Sequence, residues 1–230
     1  MNRRLIIVSV VLAVLAATAL LIGGCGVSKS NGNAQSNAKS STPASTPAPQ
    51  GSSPSAAQVG PDGKPVKTLA DFPDAQDGAN VEAVIKTDKG DIVMTFYPDT
   101  APVTVASFIH LARTGFYNGT TFHRVVPGFV VQGGDPLSKD PNNPNVGTGG
   151  PGYYLPPEFG GHKHETGSVA RARSQSPTSG GSQFYICLAP QTSLDGQYTV
   201  FGQVISGMDV VNQITQGDIM RSVTIQPKTQ

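Results

Sequence analysis

The sequence predicts one mainly β domain, a closed antiparallel barrel or a sandwich, behind a long non-globular leader. Three observations carry this expectation. Eight short runs rich in Val, Ile, Phe, Tyr and Thr follow one another after residue 80, separated by Gly, Pro, Asn and Asp clusters. Two segments alone carry helical spacing. Closure of the strands would remove the exposed edges that an open sheet presents.

The leader comes first. "MNRR" supplies positive charge, Leu5 to Ile22 is an uncharged apolar stretch of 18 residues, and "GGC" ends it at Cys25. That order describes an export signal. The stretch is nearly long enough to stay in a bilayer as a helix. The small residues stopping at a cysteine favour a lipoprotein signal over residues 1–24, with Cys25 as the lipidated residue. Residues 25–79 follow as a Ser, Pro, Ala and Gly-rich tether, too poor in large apolar groups to offset its ordering entropy. The expected location is the cell envelope, membrane-anchored and facing outside the cytoplasm.

Residues 80–230 form the predicted domain. "EAVIKTDKGDIVMTFY" reads as two strands around a Lys89-Gly90 turn, and "FHRVV", "FVVQGG", "TGSVARA", "SQFYICLA", "YTVFGQVI" and "SVTIQ" supply the other six. In "TAPVTVASFIHLARTG" Val105, Phe108, Ile109 and Ala112 share one helical face, with Thr100 as N-cap, Pro102 in the first turn and Gly115 past the end. "GMDVVNQIT" is a second, shorter helix. The Gly, Pro and Asn-rich stretch from Pro136 to Pro157 is longer than a connection needs.

Charge and motifs exclude several functions. With 16 Lys+Arg against 15 Asp+Glu there is no basic field for nucleic acid. "GTGGPG", Gly147 to Gly152, matches a dinucleotide fingerprint in spacing, but no helix follows it and Pro151 removes an amide, so it reads as a flexible turn. "HKHE", His162 to Glu165, offers two metal ligands with no third, and reads as a solvated loop. No G-x-S-x-G elbow occurs. Cys187, in "FYICLA", reads as a small buried hydrophobe.

One stretch stands out. In "FHRVVPGFVVQGGD" Arg124 sits among large apolar residues with no acidic neighbour until Asp135. Strand alternation would put Phe122, Arg124 and Val126 on one face and His123 and Val125 on the other. A guanidinium beside an apolar patch suits a neutral polar ligand.

"FHRVVPGFVVQGGD", then "GSQFYICL", then "LDGQYTVFGQVISGMDVV" resembles the cyclophilin family of peptidyl-prolyl cis/trans isomerases over residues 83–226. The resemblance implies a closed eight-stranded antiparallel barrel capped by two helices, with the substrate groove on its outer face. It implies that Arg124, Phe129 and Gln132 are catalytic, Arg124 as the arginine and Phe129 as the floor of the proline pocket. Val130, Tyr185 and Leu194 match apolar walls, while His123 and Gln183 match groups that meet the substrate backbone. Ala172, Arg173 and Ser174 fall where residues preceding proline bind, and Tyr198 where many eukaryotic members have histidine. Ser193 stands in place of the tryptophan of cyclosporin-sensitive members, Arg171 in place of a usual methionine, and Val130 in place of a common one.

The resemblance thus implies catalysis of rotation about X-Pro bonds, assisting the folding of exported proteins, by a monomer that needs no metal or other cofactor. Its partners would be proline-containing peptides and unfolded or folding exported proteins, with the membrane reached through the lipid anchor and no nucleic acid. The alternative is a non-catalytic module on the same barrel that binds Pro-containing segments as a chaperone.

Overall fold

A computed structural model describes residues 58–229. The expected export signal, the expected lipidation site Cys25 and the expected tether up to residue 57 lie outside the described residues. Among the described residues there are eight strands: β1 (Val81–Thr87), β2 (Gly90–Phe96), β3 (Arg124–Val126), β4 (Val130–Gly133), β5 (Ser168–Arg171), β6 (Phe184–Cys187), β7 (Val200–Ser206) and β8 (Ser222–Pro227). They form one sheet of order β3-β4-β6-β5-β7-β2-β1-β8, with every ladder antiparallel. The β1–β2 hairpin turns through Asp88 and Lys89, with Thr87 opposite Gly90.

The sheet is curled but not closed by a ladder. β3 and β8 are its two edges, and the residues before them are joined by one bridge, Thr121 to Ile219. The expected closed barrel is therefore corrected to an open, curled sheet. The physical reason is the length of β3: three residues, ended by Pro127-Gly128, leave too little strand to pair along β8.

Among the described residues two α-helices accompany the sheet, α1 (Pro102–Arg113) and α2 (Met208–Gln213). α1 buries Val105, Phe108, Ile109 and Ala112, the face its spacing predicts. Phe108 meets Phe96 of β2, Phe184 of β6 and Phe201 of β7 at centroid separations of 5.7, 5.5 and 5.5 Å, joining three strands across the interior.

Thr100 is not the N-cap of α1. Ala101 occupies that position, and its side chain has no oxygen to offer the first-turn amides. Glu158 supplies it instead, accepting from the amides of Val103 and Thr104 at 2.9 Å each and from the Thr104 hydroxyl at 2.6 Å. A carboxylate there also opposes the positive end of the helix dipole.

The packed body begins before residue 80. Two short 3-10 turns, Leu69–Asp71 and Pro73–Ala75, precede β1, and Phe72 and Ala75 are in the main core. Phe72 lies against the rings of His110 and Tyr153, both at 5.7 Å. The part of the tether from residue 58 to 79 is thus ordered against the domain, because its one phenylalanine finds a pocket beside α1.

Phe72→Ala should lower unfolding free energy by about 3–5 kcal/mol, read from urea denaturation followed by circular dichroism. A loss no larger than that of an exposed-site change would mean that the segment packs without stabilising.

Candidate active site

Both faces of the central strands are buried. Along β6, Phe184 and Ile186 enter the main core while Tyr185 and Cys187 enter a second apolar cluster on the opposite face. Val130, Ala170 and Val200 complete that second cluster, and Phe129, Ala172, Leu194 and Tyr198 pack on it. Without this outer layer four strands would expose apolar side chains.

Strand register then sets the site. Arg124 on β3 lies directly opposite Gln132 on β4, Gln132 opposite Tyr185 on β6, and Tyr185 opposite Ala170 on β5. The turn between β3 and β4 has Gly128 at φ 71°, with the Phe129 amide donating to the Val126 carbonyl at 3.0 Å, and it carries Phe129 back beside Arg124. The Arg124 guanidinium carbon is 5.8 Å from the Phe129 ring centroid.

A cavity of about 280 Å³ opens on this face. Phe129, Val130, Tyr185, Leu194 and Tyr198 give it apolar and aromatic walls, while Arg124, Gln132, Ala172 and Arg173 border it. Nine predicted site residues therefore meet in one place. Ser174 and Gln183 line an adjoining cavity of about 380 Å³.

A chain of side-chain amides connects the two. Arg124 donates to Gln132 Oε1 at 3.4 Å, Gln132 donates to Gln183 Oε1 at 3.0 Å, and Gln183 donates to the carbonyls of Gly147 and Gly149 at 3.0 and 2.9 Å. Every donor points the same way, so each amide's orientation is fixed by its neighbour. Arg124 itself stays exposed, with further N–H groups open to a ligand.

"GTGGPG" is accordingly an anchored turn and not a flexible one. Fully buried Asp135 accepts from the amides of Leu137 at 2.8 Å and Gly149 at 3.2 Å, and from that of Gly147. A Cβ at position 149 would lie 2.1 Å from Asp135 Oδ1, which is why glycine stands there. Sequence reasoning missed Asp135; its place directly after the "QGG" that leaves β4 was the available signal.

Several expectations change. Phe122 is buried and Val125 packs on the same core, so the alternation does not run through His123, and β3 begins only at Arg124. His123 is outside both cavities, with both ring nitrogens buried and unpartnered. Burial lowers its pKa, opposed by the nearby Asp135 carboxylate. His164 is not in a solvated loop: it is 1% exposed, its Nδ1 2.9 Å from Asp195 Oδ1 and its Nε2 3.0 Å from the Tyr185 hydroxyl. His162 stacks on Tyr97 with centroids 3.6 Å apart. Arg171 lies on the interior face, donating to Thr104 Oγ1, Pro156 O and Thr199 Oγ1, and burial lowers its pKa to about 10. Burial also pushes the Cys187 thiol up to about 12, which withholds the thiolate that nucleophilic chemistry would need.

The site thus sets an exposed arginine beside a phenylalanine-lined pocket, with a cross-strand glutamine as its partner. The profile described as "Cyclophilin type peptidyl-prolyl cis-trans isomerase/CLD" matches residues 83–229.

The chain belongs to this family.

It is 44% identical over 146 residues to a peptidyl-prolyl cis-trans isomerase of Synechococcus elongatus, covering 63% of this chain and 95% of that protein. It is 46% identical over 141 residues to peptidyl-prolyl cis-trans isomerase B of Bacillus subtilis, covering 60% and 93%. A crystal structure of a Cryptosporidium parvum cyclophilin-type isomerase, determined in the presence of the dipeptide Ala-Pro, superposes with a TM-score of 0.57 at 27% identity, covering 64% of this chain and 99% of that one. This cyclophilin is thus a peptidyl-prolyl cis-trans isomerase.

A base whose folded pKa is lowered takes up its proton more readily in the unfolded chain. The unfolded state then binds more protons between the folded pKa of His123 and the ordinary 6.5, so stability falls as pH drops through that window. Between about pH 7 and about pH 5, the denaturation midpoint of His123→Gln should fall less than that of the wild type. Equal slopes would assign the acid sensitivity to other groups.

Proposed function

We propose that this cyclophilin accelerates X-Pro rotation in exported proteins as they fold, with Arg124 as the catalytic residue and the cavity over Phe129 as the proline site. The observation that carries this is the juxtaposition of Arg124, its partner Gln132 and the Phe129 floor in one cavity.

The planar amide resists rotation by about 18–20 kcal/mol, because resonance shares the nitrogen lone pair with the carbonyl. Halfway round, that pair is withdrawn from conjugation and becomes a hydrogen-bond acceptor. Arg124, whose planar guanidinium presents several N–H donors, donates to it and so binds the twisted amide more tightly than either planar isomer. Phe129, Leu194 and Tyr185 hold the pyrrolidine ring still while the preceding carbonyl turns. Gln132 keeps the guanidinium aimed. Val130, Ala172 and Tyr198 shape the same cavity, Gln183 braces Gln132, and Arg173 and Ser174 meet the residues before proline.

The reading of a lipid-anchored protein in the cell envelope rests on the N-terminal sequence. The charged "MNRR", the apolar stretch to Ile22 and the cysteine at 25 support export and acylation of the Cys25 thiol. Its clients are then proline-containing segments of proteins that fold outside the cytoplasm.

Arg124→Ala should lower kcat/KM for an Ala-Pro-Phe peptide by about 10²- to 10³-fold, measured by NMR exchange spectroscopy with folding checked by circular dichroism. A folded variant that retains wild-type rates would remove Arg124 from the mechanism. A wild-type protein that binds the peptide without accelerating exchange would be a recognition module.

A further inference from the structure

The larger cavity differs from the proline site in its origin, because one wall comes from the segment before β1. Residues 58–66 fold back on themselves, with Val59 bridged to Pro65. The segment then joins the loop leaving the Gly147–Gly152 turn: Tyr154 donates its amide to Pro65 O at 2.9 Å, and Lys67 donates to Tyr154 O at 2.8 Å. This places the Lys64 ammonium 5.4 Å from the Tyr154 ring centroid and on the cavity wall.

The two cavities are contiguous. They share Gln132, Ala172 and Arg173, so on the isomerase reading, in which Ala172 to Ser174 meet the residues before proline, a peptide with its proline over Phe129 carries those residues into the second. The charged side chains lining the pair are Arg124, Arg173 and Lys64, and among the described residues no Asp or Glu lines either.

Arg173 is held as a fixed cation. Its Nε donates to Gln197 O at 3.0 Å, its Nη1 to Ser174 O and Gln175 O at 3.0 and 3.2 Å, and its guanidinium lies 4.5 Å from the Tyr198 ring centroid. No described carboxylate pairs with it. Lys64 does pair with Asp62, but both are well exposed and such a pair is easily exchanged for another carboxylate. Asp62 is not on the cavity wall.

Resting on the isomerase reading above, we infer that the second cavity selects peptides with an acidic side chain on the N-terminal side of the proline, with Arg173 and Lys64 as the specificity-determining residues. The segment before β1 is then part of the enzyme's substrate site. The carboxylate would sit between a fixed guanidinium and a mobile ammonium, in a groove that opposes a lysine at the same place.

The test compares kcat/KM by NMR exchange for blocked peptides Xaa-Ala-Pro-Phe with Xaa as Glu, Gln or Lys, using the full chain at low salt. The Glu peptide should exceed the Lys peptide by about three- to tenfold, and the ratio should shrink at about 0.5 M salt. Lys64→Gln and Arg173→Gln should each reduce the ratio, whereas Lys86→Gln, the same charge change on β1 and away from both cavities, should leave it intact. Equal acceleration of all three peptides, or a ratio unaltered in both cavity variants, would overturn the inference while leaving the isomerase reading in place. Acceleration of none of the peptides would overturn the isomerase reading and this inference with it.

Discussion

The antiparallel register of β3, β4, β6 and β5 is the constraint on which the rest depends. It lines up Arg124, Gln132, Tyr185 and Ala170 across four strands, so that guanidinium, amide and aromatic wall arrive together beside the buried Ala170. A slip of one residue in any ladder would send that strand's contribution to the other face. Register in turn is held by what each face accommodates, since a one-residue slip would exchange Phe184 and Ile186 in the main core for Tyr185 and Cys187 and take the Tyr185 hydroxyl from His164.

Polar contacts then refine what the strands place. The amide chain from Arg124 through Gln132 and Gln183 ends on the carbonyls of Gly147 and Gly149, and Asp135 holds the same turn by its amides. The long loop is thereby part of the site's support, and one chain of hydrogen bonds joins the Arg124 guanidinium to the second cavity's wall. On the interior side, Glu158 and Arg171 meet the same threonine: Glu158 accepts from Thr104 while Arg171 donates to it. Burial of Arg171 is tolerable because its guanidinium has three neutral oxygens as partners and the Glu158 charge nearby.

The sequence was most legible where structure is local. The β1–β2 hairpin, the apolar face of α1 and the six later strands follow from alternation, spacing and turn residues within windows of ten or so positions. The site residues were legible as a set only through the family resemblance; composition and spacing alone singled out Arg124 as an unpaired charge among apolar groups. What was not legible depends on partners far away in the chain. Glu158 replaces Thr100 at the start of α1 from more than fifty residues away, and His164 is buried because Asp195 and Tyr185 close over it. The segment from residue 58 to 79 reads as tether by composition, and it packs because its own Phe72 enters the main core and its Pro65 to Lys67 stretch pairs with Tyr154, contacts that no local pattern reveals.

The central claim is that proline binds on the outer face over Phe129, with Arg124 donating at its amide. A crystal structure of this cyclophilin with a bound Ala-Pro peptide tests it most directly. The account predicts the pyrrolidine ring against Phe129, Leu194 and Tyr185, with a guanidinium nitrogen of Arg124 within hydrogen-bonding distance of the prolyl nitrogen or the carbonyl before it. A ring bound elsewhere, or a guanidinium turned to solvent above an occupied pocket, would contradict it.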